Sequence, residues 1–562
     1  MTLESRLDQL SRGWRGPLLA AVVALIAGLP GLLAVPPLDR DESRFAQATA
    51  QMLESDDYVS INYQDQPRDK KPVGIHWLQA ISVAALSDSA DRDIWPYRIP
   101  SLLGAMLAAA ACAWGAAGFF GGRTGLLAGA MLGASFLLST EAGIAKTDAV
   151  LAGATVLALA AMGRIYHASR GGPAIGWRTQ LLFWLGIGLA TLVKGPVGPL
   201  VALLTGLALW ASDRRIDWAK SLGAGWGLVL VLAIVGPWAW AITVASDGAF
   251  WGAAIGGDLA PKLAGGHERH GGLPGYHLLL SPMLLFPASL LLPAGLILGW
   301  KARAEPGVRF ALCWLIPTWL MFELLPTKLA HYSLPALGGL CWLMAASLRE
   351  PLGRVSRLTG MVVLAFASLV FAAISIAALS QYGDNSDLTW ATITAGLFLL
   401  TGLVAGLLLV RQATWAAVAT AGIGGVLAHA AFFGQLAPRL EPLWLSQRVA
   451  MAMTSTGLAP REGVAPGPVE VAGYAEPSLV FALGTRTGLG GPDEAVAAIA
   501  AGRPAVVEAR EAARFKAAMA AAGLSPRPAG TISGVDYSNG DEMKLTLYRG
   551  EPQAEPARRV RP

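Results

Sequence analysis

Apolar runs of near bilayer-spanning length recur from residue 17 to about residue 433, separated by short polar segments, and this alternation predicts a bundle of membrane helices. The runs lie at 17–35, 98–120, 124–141, 147–166, 180–193, 196–212, 219–244, 274–300, 308–325, 331–348, 357–379, 388–410 and 413–433, about thirteen spans in all. Lys194-Gly195-Pro196 interrupts the stretch between 180 and 212, and no repeat of fixed period stands out. The segment 39–97 is too long for a simple connection. Within it, residues 43–54 and 72–86 place apolar side chains at helical spacing and predict two amphipathic helices lying in the membrane interface. Beyond residue 445 the pattern changes. Strands are expected at 469–473, 478–481, 505–508 and 543–548, and a helix at 512–522. The expected organisation is an all-α polytopic membrane domain over 1–440 and a small external α/β domain over 445–562.

Composition agrees with that pattern. The chain is 54% hydrophobic and only 14% charged, with a mean hydropathy of +0.50, well below the charge content of soluble proteins. A net charge of +5, concentrated in loops, argues against a nucleic-acid partner and reports orientation instead. With the N-terminus inside, one set of loops collects Arg123, Arg164, Arg170, Arg178, Arg214, Arg215, Lys220, Lys301, Arg303, Arg309, Arg349, Arg354, Arg357 and Arg411. Those loops are expected to face the cytoplasm, and the tail the periplasm. Arg6, Arg12 and Arg15 precede a first span with no small-residue cleavage site after it, which reads as an uncleaved anchor. Cys112, Cys313 and Cys341 all lie inside apolar runs and read as small packed hydrophobes.

The unusual polar stretches then share one face: 39–97, 141–148, the Lys194 break, 247–275 and 323–332. The densest follows the first span directly, where Asp39, Arg40, Asp41, Glu42 and Arg44 crowd against hydrocarbon, a costly placement that points to function. Transfer of a group from a lipid phosphate needs cations for the leaving phosphate and a carboxylate to take a proton from the acceptor. Asp41 with Arg44, Lys71, Lys194, Arg269 and Lys328 offers that set. Each has a plainer alternative. The charges after the first span serve to stop a helix, Glu42 and Asp39 pair with Arg40 and Arg44, and Lys71 and Lys194 snorkel beside prolines. His267 and His270 flank Glu268 and could hold a divalent ion, whereas His167 and His429 read as structural. Trp95, Trp238 and Trp444 read as interface anchors.

Seven motifs in order carry a resemblance to the GT-C superfamily of lipid-linked-sugar glycosyltransferases. The nearest branch is the one with the lipid A aminoarabinose transferases and the bacterial relatives of protein O-mannosyltransferases. The motifs are Asp41-Glu42-Ser43-Arg44-Phe45-Ala46, Lys70-Lys71-Pro72, Tyr97-Arg98-Ile99-Pro100-Ser101, Lys146-Thr147-Asp148, Leu192-Val193-Lys194-Gly195-Pro196, Gly266-His267-Glu268-Arg269, and the run from Thr327-Lys328 to Tyr332 and Pro335. Gly473-Tyr474-Ala475-Glu476-Pro477 resembles the start of the family's external domain. Two departures stand out: Lys70 replaces the family's glutamate, and Ala330-His331 interrupts the last run. The resemblance implies an inverting transferase with Asp41 as catalytic residue. It implies substrate contacts from Glu42, Arg44, Lys71, Asp148, Lys194, His267, Glu268, Arg269, Lys328 and Tyr332. The donor would be a sugar on undecaprenyl or another polyprenyl phosphate, and the acceptor lipid A, lipopolysaccharide core or another envelope molecule. No cofactor is required, although a divalent metal near His267 remains compatible with the motif. A protein O-mannosyltransferase is the alternative within the class. A lipid or solute transporter is the alternative outside it, and would place ionisable pairs mid-span, often with inverted repeats.

Overall fold

The computed structural model describes residues 8–260, 272–460 and 466–550. Every predicted apolar run is helical, but the helices are not thirteen equal spans. Among the described residues eight are long and apolar enough to cross a membrane, and up to ten if each of two bent pairs counts once. The first bent pair joins Gly122–Gly133 to Phe136–Ala142 through a 61° turn, where the Ser135 hydroxyl accepts from the Leu138 amide and caps the second helix. The second turns by 117° between Tyr276–Leu284 and Ala288–Lys301, with Pro287 in the break. Val197–Asp213 is apolar but shorter, and Leu334–Ala346 shorter still, so a simple length rule overcounts.

The helices that build the site are α1 (Arg15–Ala34), α2 (Asp41–Ser55), α3 (Gly74–Leu86), α4 (Trp95–Phe120), α5 (Gly122–Gly133), α6 (Phe136–Ala142), α7 (Thr147–Ala168) and α8 (Trp177–Lys194). Lipid cannot drive these helices together, so small residues let the backbones approach. A Cβ at Gly129 would collide with the Ala109 carbonyl of α4, and one at Gly104 with the α7 backbone at Ala149 and Val150. The core nearby is aromatic, with Phe310 stacked on Trp342 at 5.7 Å and Trp314 edge-on to it at 5.5 Å. His429 is buried beside Phe136 and Phe433, and His167 stacks on Phe119 at 4.5 Å, both structural placements.

Both helices of the first long loop form, α2 beginning at Asp41 and α3 at Gly74. The apolar side of α2 is covered by protein, with Phe45, Ala46, Ala48 and Met52 buried. Between α2 and α3, Asn62–Tyr63 (β1) and Gln66–Pro67 (β2) pair in a two-stranded hairpin.

The tail carries a five-stranded sheet: β3 (Glu470–Ala472), β4 (Gly488–Gly490), β5 (Ala505–Glu508), β6 (Pro528–Val535) and β7 (Glu542–Tyr548), in the order β4-β3-β5-β7-β6. β3 is parallel to β4 and β5, and β7 is antiparallel to β5 and β6. The expected strand at 478–481 is instead part of the helix Pro477–Leu483. Pro477 at the first helical position favours that start, and four apolar residues alone do not distinguish strand from buried helix. This helix packs on α2 and α4: Phe481 is fully buried with Ala46 and Ala50 of α2 and edge-on to Tyr97 of α4, and just past the helix the Thr485 hydroxyl accepts from Gln47 of α2 at 2.7 Å. The tail therefore rests on the same helix that carries Asp41.

Candidate active site

The sequence of α2 puts Asp41, Arg44 and Phe45 at i, i+3 and i+4, on one face of its first turn. That face borders a cavity of about 670 Å3. The residue before the helix, Arg40, has a φ of 59°, a strained conformation for a side chain of this size, and it sets the entry angle that presents Asp41 at the helix start. There the exposed amides of the first turn favour a carboxylate.

Cations face Asp41 from several elements. Arg68 and Lys71 come from the loop after β2 and sit over the Phe45 ring at 4.3 and 5.2 Å. Arg44 and Lys70 line the same cavity. From α8, Lys194 donates to Asp148 of α7 at 2.5 Å and lies 5.8 Å from the Tyr332 ring centroid. Lys146 pairs with Glu141 at 3.0 Å and approaches Asp148 at 3.7 Å. His331 completes the cluster, 3.5 Å from the Lys146 ammonium and 3.7 Å from Asp148.

Electrostatics follow from this crowding. Burial pushes the Asp41 carboxyl up, but Lys71, Arg68 and Lys146 outweigh it and hold the group below its ordinary value. Burial pushes the Lys71 ammonium down, and Lys194 adds to that. Despite the opposing pull of Asp41 and Asp148, the pKa falls to about 8. Much of the remaining lining is apolar, including Leu151, Val197, Phe250, Ile255, Phe322 and Leu325. A carboxylate, a ring of cations and a greasy wall thus share one space.

Of the sequence-derived site residues, the structure gathers Asp41, Arg44, Lys71, Asp148, Lys194 and Tyr332 around this cavity. Two others do not face it. Glu42 is turned inward and pairs with Arg98 at 2.8 Å, both fully buried. Its two oxygens also accept from the Leu38 and Ala145 amides. Arg98 in turn donates to the carbonyls of Leu32, Val35 and Pro36, capping the end of α1. Glu42 is therefore a clamp at the α1–α2 junction rather than a substrate ligand, and its partner is Arg98, not Arg40 or Arg44. Breaking a buried pair of this kind costs about 3–5 kcal/mol. Lys328 is also buried, its ammonium donating to the carbonyls of Glu323 and Leu325, which closes the end of the helix Pro306–Leu324. His267, Glu268 and Arg269 lie outside the described residues.

The sequence reading missed Arg68 altogether; three cations at 68, 70 and 71 in one short stretch were the available signal. It placed Lys146 and His331 only within motifs and Glu141 only at the edge of a polar stretch, whereas the structure brings all three into one cluster with Asp148. Among the described residues no group of three or more His, Cys, Asp or Glu side chains is placed to hold a metal. Lys70 brings no carboxylate to the position where the motif expects glutamate.

The chain is similar to membrane transferases named for lipid-phosphate-linked sugars. Residues 70–240 match the family model described as dolichyl-phosphate-mannose-protein mannosyltransferase. Over 358 residues the chain is 30% identical to the undecaprenyl phosphate-alpha-4-amino-4-deoxy-L-arabinose arabinosyl transferase of Pseudomonas paraeruginosa, covering 61% of this chain and 63% of that protein. The chain thus spans under two thirds of the length of this relative. The fold is that of ArnT from Cupriavidus metallidurans. The TM-score is 0.73 to its apo structure, at 20% identity over 96% of this chain and 98% of that one. It is 0.74 to the same protein bound to undecaprenyl phosphate, at 20% identity over 94% of this chain and 97% of that one. These matches bear out the GT-C resemblance read from the motifs.

Proposed function

We propose that this multi-pass membrane protein transfers a glycosyl group, with inversion, from a polyprenyl phosphate to an acceptor of the bacterial cell envelope. The observation that carries the reading is the cavity itself, where Asp41 faces Arg44, Arg68 and Lys71 against an apolar wall. The isoprenoid chain would lie along Leu151, Val197 and Phe322, and the phosphate among the cations. The acceptor oxygen attacks the anomeric carbon from the side opposite the phosphate. The carbon–oxygen bond to the phosphate breaks, and the phosphate leaves with the electron pair, its growing charge met by cations already in place. Where the acceptor is a hydroxyl, Asp41 takes the proton; where it is an ionised phosphate, Asp41 positions it.

The names of the relatives support undecaprenyl phosphate as the carrier and an aminoarabinose as the sugar, and the motif resemblance supports lipid A or lipopolysaccharide core as acceptor. The family model's description supports a second reading, transfer to protein. We further propose the inner membrane as the location, with the N-terminus cytoplasmic and the tail periplasmic, on the distribution of basic loops. Mass spectrometry of lipid A, core oligosaccharide and envelope proteins from a deletion strain separates the readings. Loss of a glycosyl mass from lipid A or core is expected. Its loss from proteins alone would favour the second reading, and no change in any glycoconjugate would contradict both.

A further inference from the structure

A second cavity, of about 770 Å3, lies at the other end of the bundle, bordered by α1, α4, α7, α8 and the start of α5. One helix relates the two: α7 carries Asp148 near its start and Arg164 near its end, about 24 Å further along at the α-helical rise. The second cavity is built differently from the first. Leu107, Leu157, Leu182 and Trp114 supply apolar wall, and three arginines, Arg12, Arg123 and Arg164, border it against a single carboxylate, Asp8. Asp8 is taken by Arg123, at 3.6 Å.

Arg164 is the informative residue. It is half-buried in a membrane-spanning helix, where a charge needs a counter-charge. Its guanidinium lies over the Trp114 ring at 4.7 Å and donates one bond, to the Trp114 carbonyl at 3.1 Å. Among the described residues no carboxylate lies within ion-pair distance of it, whereas Arg98, Arg170 and Arg349 each have one. The stacking on Trp114 fixes the guanidinium at the cavity wall with donors to spare, since arginine has five.

We propose that this cavity binds an anionic phospholipid, with the headgroup phosphate at Arg164 and Arg12 and an acyl chain along Leu107, Leu157 and Leu182. Basic pockets between membrane helices recognise such headgroups, and the surrounding bilayer supplies the ligand at high local concentration. Free phosphate would leave the leucine wall unused.

The test is native mass spectrometry of the full-length protein released from detergent with phosphatidylglycerol, phosphatidylcholine or undecaprenyl phosphate added in turn. The wild type should retain phosphatidylglycerol in preference to phosphatidylcholine. Arg164→Leu should lower phosphatidylglycerol occupancy by about fivefold or more, the effect of one surface cation, and Arg164→Lys should lose less. Equal retention of the zwitterionic lipid, or equal occupancy in wild type and Arg164→Leu, would overturn the proposal. So would undecaprenyl phosphate binding that depends on Arg164 while phosphatidylglycerol binding does not. If Arg164→Leu does not fold, Arg12→Ala at the exposed mouth carries the same test: reduced phosphatidylglycerol occupancy supports the site and unchanged occupancy overturns it.

Discussion

Lys71 is a cavity side chain whose charge state is set by its surroundings. Burial and Lys194 bring its ammonium down to about 8, so it is a cation at neutral pH and loses that charge as the pH rises through 8. Asp41, held below its ordinary value, stays ionised across the same range. If Lys71 grips the donor phosphate, kcat/KM, which reports the free enzyme, should fall as pH rises through about 8. The bound phosphate stabilises the ammonium, so the corresponding limb in kcat should move to higher pH. Lys71→Arg should keep part of the activity, because a planar fork replaces a compact charge, and should remove the limb. A wild-type kcat/KM that stays flat through pH 8 would contradict this role. Glu42 teaches the converse lesson. It adjoins Asp41 in sequence and carries the same charge, yet helical geometry turns it the other way, into Arg98. That partner lies 56 residues away, so the pairing is set by how α1, α2 and α4 pack and was not legible in the motif.

At the scale of elements, α2 is both the platform for Asp41 and the surface on which the tail rests. The junction buries carboxyls. Asp39 is raised by burial, with Asp536 adding to it, from 3.8 to about 6, and Glu476 by burial and Asp39 from 4.5 to about 7. Arg40 opposes both shifts, and Ser478 and Ser538 supply hydrogen bonds. The folded junction therefore holds protons that the unfolded chain releases. The stability this contributes is full below the unfolded values and is lost as pH rises through about 6 to 7. Thermal unfolding of the detergent-solubilised protein should come at higher temperature near pH 5.5 than near pH 8. Asp39→Asn with Glu476→Gln should flatten that difference. An unchanged pH dependence in the double variant would remove these groups from the coupling. The tail was partly legible: β5, β7 and the helix Ala512–Ala521 follow the expected pattern closely. Short apolar runs misled where periodicity cannot choose, as at 478–481, and β6 and the helix Pro492–Ala500 were not anticipated.

For the whole molecule, the membrane bundle was legible because long apolar runs have few structural options in lipid. The bends at Ser135 and Pro287 were not, because Pro30, Pro100, Pro237 and Pro317 sit inside continuous helices, so such a residue in an apolar run does not by itself mark a break. Convergence of five loops on one cavity was legible as an arrangement by side of the membrane, and the motifs supplied the rest. The orientation has a direct check. Ser525 is exposed on the tail, and Ser525→Cys should react with a membrane-impermeant thiol reagent in spheroplasts, while protection there with reaction in the basic loops would invert the assignment. The central claim is that Asp41 acts on the reaction and the surrounding cations hold the donor. The most direct measurement follows polyprenyl phosphate binding and glycosyl transfer together, in purified wild type, Asp41→Asn and Lys71→Ala in nanodiscs. Asp41→Asn is nearly isosteric and should lose transfer by a factor of about 10²–10⁴ while still binding the carrier, whereas Lys71→Ala should lose binding and transfer together. Near-normal transfer by a folded Asp41→Asn protein, or full carrier binding by Lys71→Ala, would contradict the account.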